Sequence, residues 1–161
     1  GGQDAKNLRD IAGDNVELLG PQDDEALAHY YAHCRAFIFP GEEDFGITPL
    51  ESQAAGRPVI AYAKGGALET VVPLNPRGGT KTLSGPATGV FFYEQTAEAL
   101  NEALDIYERK AGDFDPAAAR ENAMRFDRAR FKEEFRDYVN ALTADTEASK
   151  EESACSKNTA N

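Results

Sequence analysis

The stretch "EEDFGITPLESQAAGRPVIAY", residues 42–62, decides how this chain is read. Thr48-Pro49-Leu50-Glu51 fits a capping box, with Thr48 as N-cap, Pro49 at the first helical position and Glu51 reaching back to the Thr48 amide. Gly56 then serves as the left-handed residue after the helix, and Arg57-Pro58 prevents continuation, so the spacing predicts a helix of about two turns starting at Pro49. "AFIFP" (36–40) upstream and "PVIAY" (58–62) at the end of the stretch are continuous apolar runs, as expected of strands buried on both faces of a parallel sheet. The order is strand, acidic loop, short helix, strand.

Working outward, residues 4–12 resemble the end of a helix, Asp14-Asn15 a turn, and "NVELLG" (15–20) a short strand closed by glycine. "PQDDEALAHYYAHCR" (21–35) carries Asp23 and Asp24 as candidate N-caps and Leu27, Tyr30, Tyr31 and Cys34 at helical spacing. After Tyr62 come Lys64-Gly65-Gly66, a helix-like "ALETVV", a loop rich in Gly and Pro over 73–89, and "GVFFY" as a fourth strand. Helices are expected over 97–110 and from 116 to about 142, the second broken near Phe126. This alternation is that of an α/β protein with a Rossmann-like open parallel sheet and flanking helices. Residues 1–142 form the expected domain; residues 143–161 hold no large apolar side chain and read as a disordered tail.

The chain has 161 residues, 41% hydrophobic and 28% charged, a composition that supports one packed domain. A formal net charge of −11 opposes nucleic acid or an anionic membrane surface as partner, since both need a field of the opposite sign. Cys34 and Cys155 form no recognisable framework, no apolar run nears the roughly twenty residues that span a bilayer, and no signal pattern opens the chain, so a cytoplasmic setting is the default. The start at Gly1-Gly2, without Met, reads as a fragment of a longer protein. His29 and His33 stand four apart, but no glutamate follows His29 as HExxH requires, and no metal or cofactor is expected. "GGTKT" (78–82) lacks the Gly-Lys pair of a phosphate loop and reads as an ordinary loop.

The chemistry collects in the opening stretch. Residues 41–46 follow the carboxyl end of the "AFIFP" strand, where open α/β sheets bind ligands. Free amides over residues 45–50 would attract an anion at the helix start, and Gly46 would let it approach the backbone. Glu43 and Glu51 have seven residues between them, one in the loop and one in the first helical turn, so both can face the crevice and accept hydrogen bonds from vicinal hydroxyls. A ligand with phosphate in its middle and a hydroxyl-rich ring at each end, a nucleotide-sugar, satisfies the whole set. Plainer readings stand beside this one: Glu51 as a capping-box residue, Glu42 to Asp44 as a solvated acidic loop, and Gly65-Gly66 as a simple turn.

"EEDFGITPLESQAAGRPVIAYAKGGALETV" closely resembles the donor-binding lobe of retaining glycosyltransferases of group 1, with the GT-B fold, particularly bacterial mannosyltransferases. Their signature is a Glu pair with seven residues between, a small-residue helix, Gly-x-Pro-Val-Ile-Ala and a Gly-Gly turn, and the likeness runs from about residue 2 to 142. The resemblance implies that Glu43 is catalytic and accepts hydrogen bonds from the donor sugar, and that Glu51 takes the ribose diol. Asp44, Phe45, Gly46, Ile47 and Thr48 would line the sugar and diphosphate, with Gly65 and Gly66 in support. Asp44 stands where many relatives carry glycine; the Glu-Asp-Phe-Gly variant resembles a mannosyltransferase subgroup and points to GDP-mannose. The implied activity is hexosyl transfer to a glycan or lipid-linked acceptor, as in polysaccharide biosynthesis, with the parent at the membrane periphery or in the cytoplasm. A non-catalytic nucleotide-sugar-binding module and a GT-B epimerase are the alternatives.

The resemblance further implies a missing N-terminal lobe for the acceptor, and two missing strands between "NVELLG" and "AFIFP". The isolated chain, a partial C-terminal lobe, is therefore expected to be inactive, marginally stable, and prone to self-association or altered packing.

Overall fold

The computed structural model describes residues 4–78 and 83–158. Most of the "GGTKT" stretch thus lies outside the described residues, as do Gly1 and Gly2. Helices α1 (Ala5–Ile11) and α2 (Asp24–His33) precede strand β1 (Phe37–Phe39), helix α3 (Ile47–Ala54), strand β2 (Val59–Tyr62) and the single turn α4 (Ala67–Thr70). Strand β3 (Gly89–Phe92), α5 (Ala97–Lys110), α6 (Pro116–Met124) and α7 (Arg128–Asn158) complete the order. The three strands form one parallel sheet in the order β1-β2-β3, with Ile38 opposite Ile60 and Ile60 opposite Val90.

The runs of β2 and β3 are buried because both faces of the sheet are covered there, whereas in β1 only Phe39 is buried. Val59, Ala61 and Phe91 pack on Phe39, Ala67 and Val71 on the α4 side, while Ile60, Val90 and Phe92 pack on Ala103 and Tyr107 of α5. Local signals place the helices. Asp23 caps α2 by accepting from the Ala26 amide at 2.8 Å, Thr96 and Asp115 cap α5 and α6, and Gly56 takes φ +79° just beyond α3. The break expected near Phe126 falls between α6 and α7.

Two expectations are corrected. "NVELLG" is not a strand: a strand needs a ladder partner, none of the three strands reaches it, and Val16, Leu18 and Leu19 remain exposed. The segment from 143 onward, expected to be unstructured, continues α7 to Asn158. Its Ala, Glu and Lys residues are strong helix formers, which favours continuation of the helix. Residues 128–143 are exposed throughout.

The two sheet edges differ. At β3 the Asn75 side chain mimics a strand, accepting from Phe91 N at 2.9 Å and donating from Nδ2 to Phe91 O at 3.0 Å. At β1 no further strand pairs with the outer edge among the described residues, and Ile38 is 41% exposed. Urea denaturation should therefore separate two isoleucines on neighbouring strands: Ile60→Ala is expected to cost about 2–5 kcal/mol, and Ile38→Ala no more than about 1 kcal/mol.

Candidate functional site

The acidic loop is anchored through its backbone. The Gly66 amide donates to Glu43 O at 2.7 Å, and the Gly65-Gly66 turn lies directly against residues 43–45. A Cβ on Gly66 would stand 2.2 Å from Phe45 O, and one on Gly65 2.4 Å from Glu43 O, so no larger residue fits either position. Gly65 also takes φ +59°. Lys64, one residue earlier, pairs with Glu42 at 2.9 Å. This exposed pair adds little energy. The Glu43 and Asp44 carboxylates are left exposed, with no side-chain partner among the described residues.

Helix α3 begins earlier than its sequence suggests. Gly46, at φ +80°, occupies the N-cap position, Ile47 opens the helix, and no side chain caps it. Thr48 and Glu51 therefore do not form a capping box. Pro49 falls within the first turn, where its missing N–H costs nothing, and the chain turns into the helix through the conformation that Gly46 alone permits. The first amides of α3 keep their capacity to bind an anion.

Glu51, released from capping, accepts instead from the Tyr31 hydroxyl of α2, 3.1 Å from Oε2. Burial, followed by the hydrogen bond and charge of Glu51, pushes the Tyr31 phenol up to about 12. Phe45, Ile47 and Glu51 border an open, largely apolar cleft of about 730 Å³ with Met124, Phe126 and Arg128. Glu43, Asp44, Gly46, Thr48, Gly65 and Gly66 do not border that cleft; Thr48 lies in the first turn of α3 and the others form the adjoining loop and turn. The expected residues thus fall into two connected groups joined by Phe45.

Sequence reasoning missed several supports of the site. In the sequence Tyr31 stands only as part of an apolar helix face. Gln53, Thr70 and Asn122, all buried, join α3, α4 and α6 through side-chain hydrogen bonds. Phe126 meets the Phe45 ring edge-on, with centroids 5.7 Å apart. An asparagine near the end of a helix is the one signal available beforehand, because that residue is a poor helix former unless its amide is used.

A family model described as "Glycosyl transferases group 1" matches residues 3–125. The alpha-1,3/1,6-mannosyltransferase ALG2 of Dictyostelium discoideum is 42% identical over 83 residues, an alignment covering 50% of this chain and 18% of that protein. Glycogen synthase of Nitrosomonas eutropha is 37% identical over 84 residues, covering 50% of this chain and 16% of the relative. Among solved structures, sucrose-phosphate synthase from Thermosynechococcus elongatus superposes with TM-score 0.69 at 27% identity, over 86% of this chain and 33% of that one. The open parallel sheet with flanking helices agrees with that superposition. The chain spans less than a fifth of the length of these curated relatives.

Two outcomes follow from the site's geometry. In an alkaline titration followed by tyrosinate absorbance, a component near pH 12 should move to lower pH in Glu51→Gln. Because the folded value lies above the ordinary 10.0, the stability that Tyr31 contributes is present below pH 10 and is lost as pH rises through about 12. Gly66→Ala should cost about 1–3 kcal/mol in denaturant melts and shift the Phe45 resonances, whereas Gly112→Ala, with open space around its Cβ, should leave those resonances in place.

Proposed function

This chain belongs to the glycosyl transferases of group 1, and from that premise we propose that it is the donor-binding part of a retaining hexosyltransferase. In this reading the full protein moves mannose from GDP-mannose to a glycan or lipid-linked acceptor. The observation that carries it is the backbone anchoring of the acidic loop by Gly66, which leaves the Glu43 carboxylate free beside an uncapped helix start.

Each residue then has a chemical task. Glu43 accepts hydrogen bonds from the donor sugar's hydroxyls next to the reacting carbon. Glu51, steadied at one oxygen by Tyr31, offers its other oxygen to the ribose diol. The diphosphate lies against the amides at the start of α3, with Gly46 allowing close approach and Phe45, Ile47 and Thr48 shaping the wall. As the bond to the sugar breaks, charge grows on the departing diphosphate, and fixed amide dipoles favour it without reorganising. Asp44 borders the sugar end, and Gly65 and Gly66 hold the loop from beneath. No resident metal or cofactor enters this scheme; the nucleotide-sugar is the substrate. Transfer needs an acceptor site beyond this chain, and the chain alone is expected to bind rather than turn over. Among the described residues no helix is long and apolar enough to cross a membrane.

The choice of mannose rests on the Glu-Asp-Phe-Gly sequence and on the mannosyltransferase named among the relatives. An amide-resolved NMR titration with GDP-mannose and UDP-glucose tests it. Phe45, Gly46 and Ile47 should shift with GDP-mannose alone, and the shifts should vanish in Glu43→Ala. Selective response to UDP-glucose would reassign the donor toward the glucosyl chemistry of the synthase relatives, and indifference to both would remove the donor-binding reading.

A further inference from the structure

We propose that Asn122, on α6 and outside the acidic motif, is a positioning residue for the donor loop, acting through Gln53, Thr70 and Gly66. Calling that loop a donor site rests on the preceding reading; the mechanical link itself does not.

The link can be followed bond by bond. Asn122 Nδ2 donates to Gln53 Oε1 at 2.7 Å and to Thr70 O at 2.8 Å. Gln53 Nε2 donates to the same Thr70 oxygen at 2.9 Å and to Pro49 O at 3.1 Å, within the first turn of α3. Thr70 donates back along α4, from Oγ1 at 2.9 Å and from its amide at 3.0 Å, to Gly66 O. Gly66 then donates to Glu43 O at 2.7 Å. Arg125 Nη1 donates to Asn122 Oδ1 at 3.1 Å, which fixes the orientation of the Asn122 amide and directs its nitrogen inward. Every step is a directional bond, and Gln53, Thr70 and Asn122 are at most 6% exposed.

None of these three side chains belongs to either apolar cluster of the sheet. Apolar packing tolerates small shifts, whereas a buried, satisfied polar network admits one arrangement. Thr70 closes α4, a helix of four residues that cannot hold its own last carbonyl. Asn122 and Gln53 fill that carbonyl from two other helices, and so set where the turn carrying Gly66 can lie. The segment just beyond α6 meets the same loop by a second route, through Phe126 against Phe45. The paired acids are thereby held from a helix 69 residues beyond Gln53.

Asn122→Asp keeps the shape and removes the inward donor; Asn122→Ser removes both bonds with less electrostatic penalty and serves where the first variant does not fold. Amide hydrogen exchange of the ligand-free chain is read at Gly66, with Val59 and Ala63 in the sheet ladder as internal references. Exchange at Gly66 is expected to accelerate at least about tenfold more than at the references. Equal acceleration at all three overturns the proposal, because Asn122 would then contribute to global stability alone. GDP-mannose affinity gives the second readout: it should fall about tenfold in the Asn122 variants, the loss of one hydrogen bond's worth of positioning. Tyr107→Phe, which removes a Tyr107 hydroxyl bond to Arg35 O remote from the loop, should leave it unchanged. Unchanged affinity in Asn122 variants whose Gly66 amide has loosened also overturns positioning. If the unaltered chain takes up no GDP-mannose, the donor reading fails, and exchange at Gly66 still decides the link.

Discussion

The hydrogen bond from the Gly66 amide to Glu43 O, 2.7 Å long, is the contact on which the site depends. It joins the loop after β1 to the turn after β2 at the carboxyl ends of neighbouring parallel strands. Two glycines make the approach possible, because a Cβ at either position would enter the backbone of the acidic loop. The loop can therefore carry two adjacent carboxylates into solvent while its backbone stays fixed. Ion pairing does not supply that order: Lys64 and Glu42 form an exposed pair of small energetic weight.

The sheet explains where this geometry arises and where it weakens. β2 is the central strand and is fully enclosed apart from its last residue, so it places the glycine turn rigidly. β1 carries the acidic loop but is an edge strand, with no further strand beside it among the described residues. The loop is thus steadied from the β2 side by Gly66 and by Phe126, just beyond α6. That asymmetry gives the polar network of Gln53, Thr70 and Asn122 its importance.

Much of this was legible in the sequence, for identifiable reasons. The runs around Phe37, Val59 and Val90 announced parallel strands, though the first is a partly exposed edge strand and not one buried on both faces; Gly56 and Pro58 marked the end of α3, and residues 97–110 matched α5 residue for residue. "NVELLG" misled because its alternation suits a strand, yet a strand exists only where a ladder partner stands beside it, which local pattern cannot reveal. Thr48 and Glu51 misled in a different way: their spacing satisfies a capping box, but Gly46 adopts the left-handed conformation and starts the helix sooner, so Glu51 bonds Tyr31. Of the site, the acids and glycines were visible as a motif. Tyr31, Asn122 and Phe126 were not, because they meet it only through tertiary packing across 20 to 81 positions of chain.

The most direct measurement of the central contact is a through-hydrogen-bond scalar coupling experiment on the isotopically labelled chain. A cross-peak between the Gly66 amide nitrogen and the Glu43 carbonyl carbon is the predicted result. Its absence, in a spectrum where couplings across the β1-β2 and β2-β3 ladders are seen, would contradict the account, since the sheet would be formed while the acidic loop was not held by the glycine turn.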